Sequence, residues 1–223
     1  MDAFLNETES ESESKLNKFY KIYIDECGLG CGFSNMSACA IALEKGYELN
    51  LPFKVASFDS KKISEKKRNI IAQILKDNCI AYSVQFISAK KIDEINILQA
   101  RYLAYKKCVE AIENQGVFIS EIFVDGDKWV PYFSKIQNQY IPHTCIIKGD
   151  SLYNEIGFAS IICKTERDNY LYKICQDDPS IDEKYGIITN KGYFTKKHLD
   201  GIQKHGLHSE HRKTYKPCQR STK

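Results

Sequence analysis

A chain of 223 residues, 43% apolar and 27% charged, is long enough to bury a sizeable core in one domain with extensions, and its composition is that of a globular protein in water. No apolar run nears the ~20 residues of a membrane span, and the start lacks the basic-then-apolar pattern of a secretory signal, so membrane spans are excluded and an intracellular location, cytoplasmic or nuclear, is expected. The formal net charge of +3 hides a gradient: residues 1–18 carry two lysines against five acids, whereas residues 191–223 carry nine basic residues against two acids, a solvated tail or a surface for a polyanion.

Residues 1–18, with the run Glu9-Ser10-Glu11-Ser12-Glu13-Ser14, cannot bury enough apolar surface to fold and read as a disordered acidic tail. Lys21-Ile22-Tyr23-Ile24 is then a strand that ends in Asp25-Glu26, followed by Gly28 and Gly30. Carboxylates are poor strand residues and expensive to bury unpaired. At a strand end, however, two can jointly hold a hard divalent cation, and the glycines let the backbone approach whatever sits beside it. Residues 37–43 suit a second strand. Lys61 and Lys62 precede Ser64, an expected N-cap, and so lie on a loop free to meet phosphate. The helix that follows opens with Glu65 and carries a stripe of Ile70, Ile71, Ile74 and Leu75.

Residues 80–87 read as a strand, and residues 96–113 as a helix burying Leu98, Tyr102, Leu103, Val109 and Ile112. Ile122-Phe123-Val124 is a short strand delivering Asp125, with Gly126 behind it; residues 144–147 are another, followed by Lys148-Gly149-Asp150. Residues 155–176 have helical spacing of Ile156, Ala159, Ile162, Cys163, Leu171 and Ile174. Strands alternating with helices predict an α/β layered domain, whose ligands sit beyond strand ends. Asp25, Glu26, Asp125 and Asp150 all fall there. Clustered carboxylates are the ligands Mg²⁺ and Mn²⁺ prefer, and two such ions about 4 Å apart can clamp the attacking and leaving oxygens of a phosphodiester.

Nine cysteines, an odd number at irregular spacing, exclude a complete disulfide framework. Cys27 and Cys31 with His205, His208 and His211 raise a zinc site, against which stands the lack of a matching second cysteine pair.

The segments Ile24-Asp25-Glu26-Cys27-Gly28-Leu29-Gly30, residues 59–68, residues 92–100, Val124-Asp125-Gly126, Lys148-Gly149-Asp150, Ala159-Ser160-Ile161, Arg167-Asp168, Lys191-Gly192-Tyr193 and His211-Arg212 together resemble, in order and over residues 20–217, the type 2 ribonuclease H (RNase HII) family. The resemblance implies a ribonuclease H-like α/β fold, a mixed five-stranded sheet flanked by helices, with a helical C-terminal extension. It implies a catalytic domain over residues 19–190 and a basic region over residues 191–223 that contacts substrate. The implied activity is metal-dependent cleavage of the RNA strand of RNA/DNA hybrids and of ribonucleotides embedded in duplex DNA, on the 5′ side of the ribonucleotide, leaving 3′-hydroxyl and 5′-phosphate ends.

By motif position Asp25, Glu26, Asp125 and Asp150 match the four catalytic carboxylates, which would ligate two Mg²⁺ or Mn²⁺ ions. Gly28, Leu29 and Gly30 match the loop that reads the 2′-hydroxyl, Tyr193 the tyrosine that stacks on the sugar, Lys61 and Lys62 phosphate contacts, and Arg212 lies in the basic C-terminal strip. Asp168 competes with Asp150, but along one helix the two are separated by up to about 27 Å, too far to share a metal pair. Asp168 is therefore expected to be structural, paired with Lys164 or supporting Arg167.

Where the family has Gly-Arg-Gly this chain has Gly28-Leu29-Gly30, and Leu152 stands where many members carry a basic residue. The first departure removes a polar or phosphate contact. A non-catalytic nucleic-acid-binding subunit on the same fold is the alternative that Leu29 favours and the four carboxylates oppose. A DNA exonuclease of related fold leaves Gly192-Tyr193 and the lysine loop unexplained.

Overall fold

A computed structural model describes residues 18–220; the segment expected as an acidic tail lies, but for Lys18, outside the described residues. In chain order they form β1 (Phe19–Cys27), β2 (Met36–Leu43), α1 (Glu65–Asn78), β3 (Ala81–Ile87), α2 (Ala89–Ile95), α3 (Ile97–Glu113), β4 (Phe118–Asp125), β5 (Tyr132–Ser134), β6 (Gln139–Ile141), β7 (His143–Ile146), α4 (Gly149–Leu152), α5 (Asn154–Asp177), α6 (Pro179–Tyr185), α7 (Ile187–Asn190), α8 (Lys196–His205) and α9 (Lys216–Gln219). The sheet order is β3-β2-β1-β4-β7, with β1–β2 and β2–β3 antiparallel and β1–β4 and β4–β7 parallel, the mixed five-stranded sheet expected. β5 and β6 make a separate hairpin.

β2 is buried at every position, which is why its sequence, Met-Ser-Ala-Cys-Ala-Ile-Ala-Leu, is continuously small and apolar instead of alternating. β1 distributes its residues between two layers. Ile22 and Ile24 pack with Ala104, Tyr105, Cys108 and Ile112 of α3, whereas Tyr23 and Cys27 face the layer of Ile71 and Leu75 from α1 and Phe158 and Ile162 from α5. Each buried isoleucine contributes roughly 1.5–3 kcal/mol, so β1 is held from both faces. A third cluster, of Phe33, Leu171, Ile181, Tyr185, Ile202 and Cys218, packs the C-terminal helices onto the end of α5.

Several local expectations need correction. Ser64 stands at the N-cap of α1, but its hydroxyl makes no capping bond; Glu65 instead accepts from the Tyr172 hydroxyl at 2.7 Å. Ile71 and Leu75 are buried as expected, while Ile70 is exposed and Arg68 takes a place inside. α3 buries Val109 and Ile112, but Leu98 in its first turn is exposed and Tyr102 and Leu103 are only partly covered. The short helix α2 was not expected; Ser88 caps it by accepting from the Lys91 amide. No helix among the described residues is long and apolar enough to cross a membrane.

Candidate active site

Parallel pairing puts Ile24 beside Val124, so the next residues, Asp25 and Asp125, leave adjacent strands on the same face, towards α5. Glu26 continues the row of Ile22 and Ile24 on the α3 face and reaches over the strand end. One oxygen from each of Asp25, Glu26 and Asp125 lies within 4.8 Å of the others, the one group of three or more metal-capable side chains that close among the described residues. The Glu26 amide donates to Asp25 Oδ1 at 2.7 Å, and the Gly149 amide to Asp125 Oδ1 at 2.6 Å. A Cβ on Gly149 would stand 2.7 Å from Ile156 Cδ1 and 3.2 Å from Asp125 Oδ1, so a larger residue would crowd Ile156 and the Asp125 carboxylate.

Burial and mutual repulsion disfavour the charged form of each carboxyl in the group. Burial first, and then the Asp125 charge, push the Asp25 carboxyl up to about 7, against the pull of the Ser160 hydroxyl beside it. Burial and Asp25 raise Glu26 well above the usual range; burial and Asp150 raise Asp125. Asp150, in the first turn of α4, lies near enough to raise both aspartates but is not in the close group of three: its Oδ2 is 3.5 Å from Lys61 Nζ and its Oδ1 3.4 Å from Ser151 Oγ.

Beside this group runs the Gly28-Leu29-Gly30 loop. Gly28 has φ +88° and a Cβ there would fall 2.3 Å from Arg167 Nε, so no other residue fits. Arg167, wholly buried, donates to the carbonyls of Asn35 at 3.1 Å, Lys191 at 2.9 Å and Phe33 at 3.3 Å. Arg212 corrects its expectation as a substrate contact. It too is wholly buried, with its Nε on Ser34 O at 2.9 Å and its Nη1 on Gly28 O at 2.8 Å and Leu29 O at 3.1 Å. Its charge is spent on shaping the loop. Tyr215 adds a hydroxyl to Leu29 O at 2.6 Å.

Tyr193 is 49% exposed, and its ring edge stands 3.6 Å from where a Cβ on Gly30 would be. A cavity of about 200 Å³ opens between Asp25, Glu26, the glycine loop, Lys61 and Tyr193. Lys61 is exposed at its rim; Lys62 is 3.2 Å from Asp59. Asp168 lies buried between Arg68 Nη2, at 2.8 Å, and Lys164, the i, i+4 partner anticipated; Arg167 does not contact it.

The zinc grouping does not assemble. Cys31 donates to Lys191 O at 3.4 Å, burial pushes the Cys27 thiol up to about 11, and all nine cysteines are free. His211 Nδ1 accepts from the His208 amide at 2.8 Å and its Nε2 lies 3.0 Å from His198 Nε2, while His198 Nδ1 lies 2.9 Å from Tyr193 O. His205 takes no part.

The sequence did not point to Arg101, Tyr105, Ser160 or the packing of Arg167 against Gly28. Their separation from the carboxylates along the chain hid them; the available signal was a polar pair, Arg101 and Tyr105, at i, i+4 amid the alanines of an apolar helix face.

The Ribonuclease HII family model matches residues 22–218. Ribonuclease HII of Christiangramia forsetii is 39% identical over 193 residues, 86% of this chain and 88% of that protein, and ribonuclease HII of Neisseria meningitidis serogroup A is 35% identical over 194 residues, 87% and 91%. In fold, the chain is similar to the ribonuclease H2 of Pyrococcus horikoshii, at a TM-score of 0.67 and 21% identity over 91% of this chain and 97% of that one. It is also similar to Bst-RNase HIII in complex with Mn²⁺, at 0.60 and 13% over 94% and 71%. With a carboxylate group that could hold a metal ion at the strand ends of a ribonuclease H-like sheet and relatives matched over most of their length, the chain belongs to the ribonuclease HII family, the type 2 ribonuclease H endonucleases.

Proposed function

We propose that this chain cleaves the RNA strand of RNA/DNA hybrids and ribonucleotides embedded in duplex DNA, on the 5′ side of the ribonucleotide, leaving 3′-hydroxyl and 5′-phosphate ends. The observation that carries this reading is the convergence of Asp25, Glu26 and Asp125 within 4.8 Å beside a cavity walled by the glycine loop and Tyr193. Three hard oxygen donors in one desolvated spot, whose crowded charges a divalent cation would neutralise, fit Mg²⁺ or Mn²⁺, and Asp150, whose charge acts on both aspartates, would be the further carboxylate for a second ion. When bound, such a pair of ions supplies an activated water and charge stabilisation at the scissile phosphate.

The protein's own groups do the rest. Lys61, exposed at the cavity rim, meets a backbone phosphate. Arg212 holds the carbonyls of Gly28 and Leu29, and Arg167, packed against Gly28, ties down the carbonyls of Phe33, Asn35 and Lys191 beside them, which leaves the Gly28–Gly30 backbone preorganised against a ribose. Tyr193 presents an exposed ring to the neighbouring sugar, and the 2′-hydroxyl distinguishes RNA at that position.

The test is cleavage of a duplex carrying one ribonucleotide and of a long hybrid, with Mg²⁺, Mn²⁺ or a chelator, and with the ends of the products mapped. Asp125→Asn and Asp150→Asn should each lower cleavage by at least about a hundredfold in a folded protein; activity within a few fold of the starting chain refutes the assignment of that carboxylate.

A further inference from the structure

Glu26 joins the carboxylate group from the opposite side of the sheet to its neighbours. Asp25 and Asp125 project towards α5, whereas Glu26 follows Ile22 and Ile24 on the face covered by α3. The α3 side of that layer is built from Ala100, Ala104, Cys108, Val109 and Ile112. Arg101 and Tyr105 interrupt it, four residues apart and so on one side of the helix.

Tyr105 is wholly buried, and its hydroxyl donates to Glu26 Oε2. Trp129 braces its ring edge-on, with centroids 6.0 Å apart at 78°. Arg101 brings Nη1 to 4.0 Å from Glu26 Oε1 and is tied down by Nη2 donating to Lys128 O at 3.2 Å. Its Nη1 lies 3.5 Å from where a Cβ on Gly126 would stand, an ordinary contact, so the guanidinium packs beside the turn after Asp125, where φ of +108° calls for glycine. Each oxygen of Glu26 thus faces a cationic or donor group from the same helix.

A glutamate has three rotatable side-chain bonds, and this one must cross a strand end to meet Asp25 and Asp125. Left unheld, it would lose that freedom each time a cation bound. Tyr105 fixes one oxygen by a charge-assisted bond. Arg101 keeps the other in a positive field yet stands too far off to saturate it, so that oxygen stays open to a metal.

We propose that Tyr105, supported by Arg101, is a positioning residue that holds Glu26 in its metal-ligating rotamer, so that α3 sets the affinity of the site for its divalent cation. The inference rests on the reading of Asp25, Glu26 and Asp125 as metal ligands.

Mn²⁺ itself is the probe. Calorimetric titration of the full chain, of Tyr105→Phe, of Glu26→Gln and of the double variant, each with its thermal midpoint, forms a double-mutant cycle. Tyr105→Phe should weaken Mn²⁺ binding by about tenfold to a hundredfold and raise the Mn²⁺ needed for half-maximal cleavage by a similar factor. In the Glu26→Gln background the same change should alter Mn²⁺ affinity by less than about twofold, because the group it positions is already gone. A purely structural tyrosine would lower the midpoint and leave affinity alone. Tyr105→Phe binding Mn²⁺ as tightly as the starting chain, or weakening it equally with and without Glu26, overturns the inference while leaving the activity intact. A starting chain that binds no Mn²⁺ and cleaves fully in chelator overturns the metal-ligand reading itself, and the inference with it.

Discussion

Two residues show how a single side chain divides between stability and chemistry. Asp168 is the one anion buried against Arg68 and Lys164. Removing its charge leaves two cations without a buried partner, so Asp168→Asn should cost about 3 kcal/mol of stability, read as a shift in the urea midpoint, with the cleavage rate of the folded fraction unchanged. A dead but fully stable Asp168→Asn protein would move Asp168 into the site. Leu29 is the opposite case. Its carbonyl is held by Arg212 and Tyr215, so the backbone of the loop is fixed independently of the side chain, which packs partly buried against the α3 layer. Leu29→Arg should therefore keep the loop shape and add a charge-assisted contact to the substrate backbone, on the order of 1–2 kcal/mol. The gain should be larger on a single embedded ribonucleotide than on a long hybrid, where many sites compensate for weak capture at one. Equal or lower cleavage efficiency on both substrates would show that leucine is the residue this loop is adapted to.

Among the elements, the C-terminal segments are fastened to one another by a pair of neutral imidazoles. His198 and His211 join α8 to the segment before α9, and His198 also meets the backbone oxygen of Tyr193. Burial lowers the His198 pKa, and burial together with His198 lowers that of His211 to about 4. Both are thus neutral when folded and titrate near 6.5 when unfolded. The unfolded chain takes up protons first as pH falls, so their contribution is complete above about pH 6.5 and is lost progressively towards about pH 4. Denaturation midpoints should therefore rise from about pH 4 to about pH 6.5 and level off above it, and His198→Gln and His211→Gln should flatten that rise. This coupling was not legible in the sequence, where a His-x2-His-x2-His spacing suggested a metal and gave His205 a part it does not have. The strand-end carboxylates were legible, because an apolar run that stops on Asp-Glu has few explanations. Asp125 was legible as the end of an apolar run and Asp168 as a helix residue with an i, i+4 lysine, whereas Asp150 falls in the first turn of α4, outside the close group of three. Arg212 was misread because charge in a basic stretch looks solvated, and only the fold reveals that its guanidinium is consumed by the carbonyls of a loop more than a hundred residues earlier. The start of α3 near residue 96 was legible, whereas α2 was not: its seven residues are too few to show a helical period, and Asn96, at positive φ, caps α3 and separates the two.

Across the whole molecule, charge and layering have separate effects. The acidic first eighteen residues oppose a polyanion that the basic C-terminal end favours, so deleting residues 1–18 should leave cleavage at physiological salt nearly unchanged and strengthen hybrid binding at low salt. Binding isotherms across a salt series check this; an unchanged affinity at low salt would show that the segment stays clear of the substrate. Layering has a less obvious consequence. The sheet separates two cores that share no side chains, one under α3 and one under α1 and α5, and the last two carboxylates of β1 belong one to each. A divalent cation held by both would therefore act as a rivet through the end of the sheet. Amide hydrogen exchange should register it in two places at once: adding Mn²⁺ should slow the opening of α3 and of the N-terminal turns of α5 together, and Glu26→Gln should uncouple them, leaving protection on the α5 side alone.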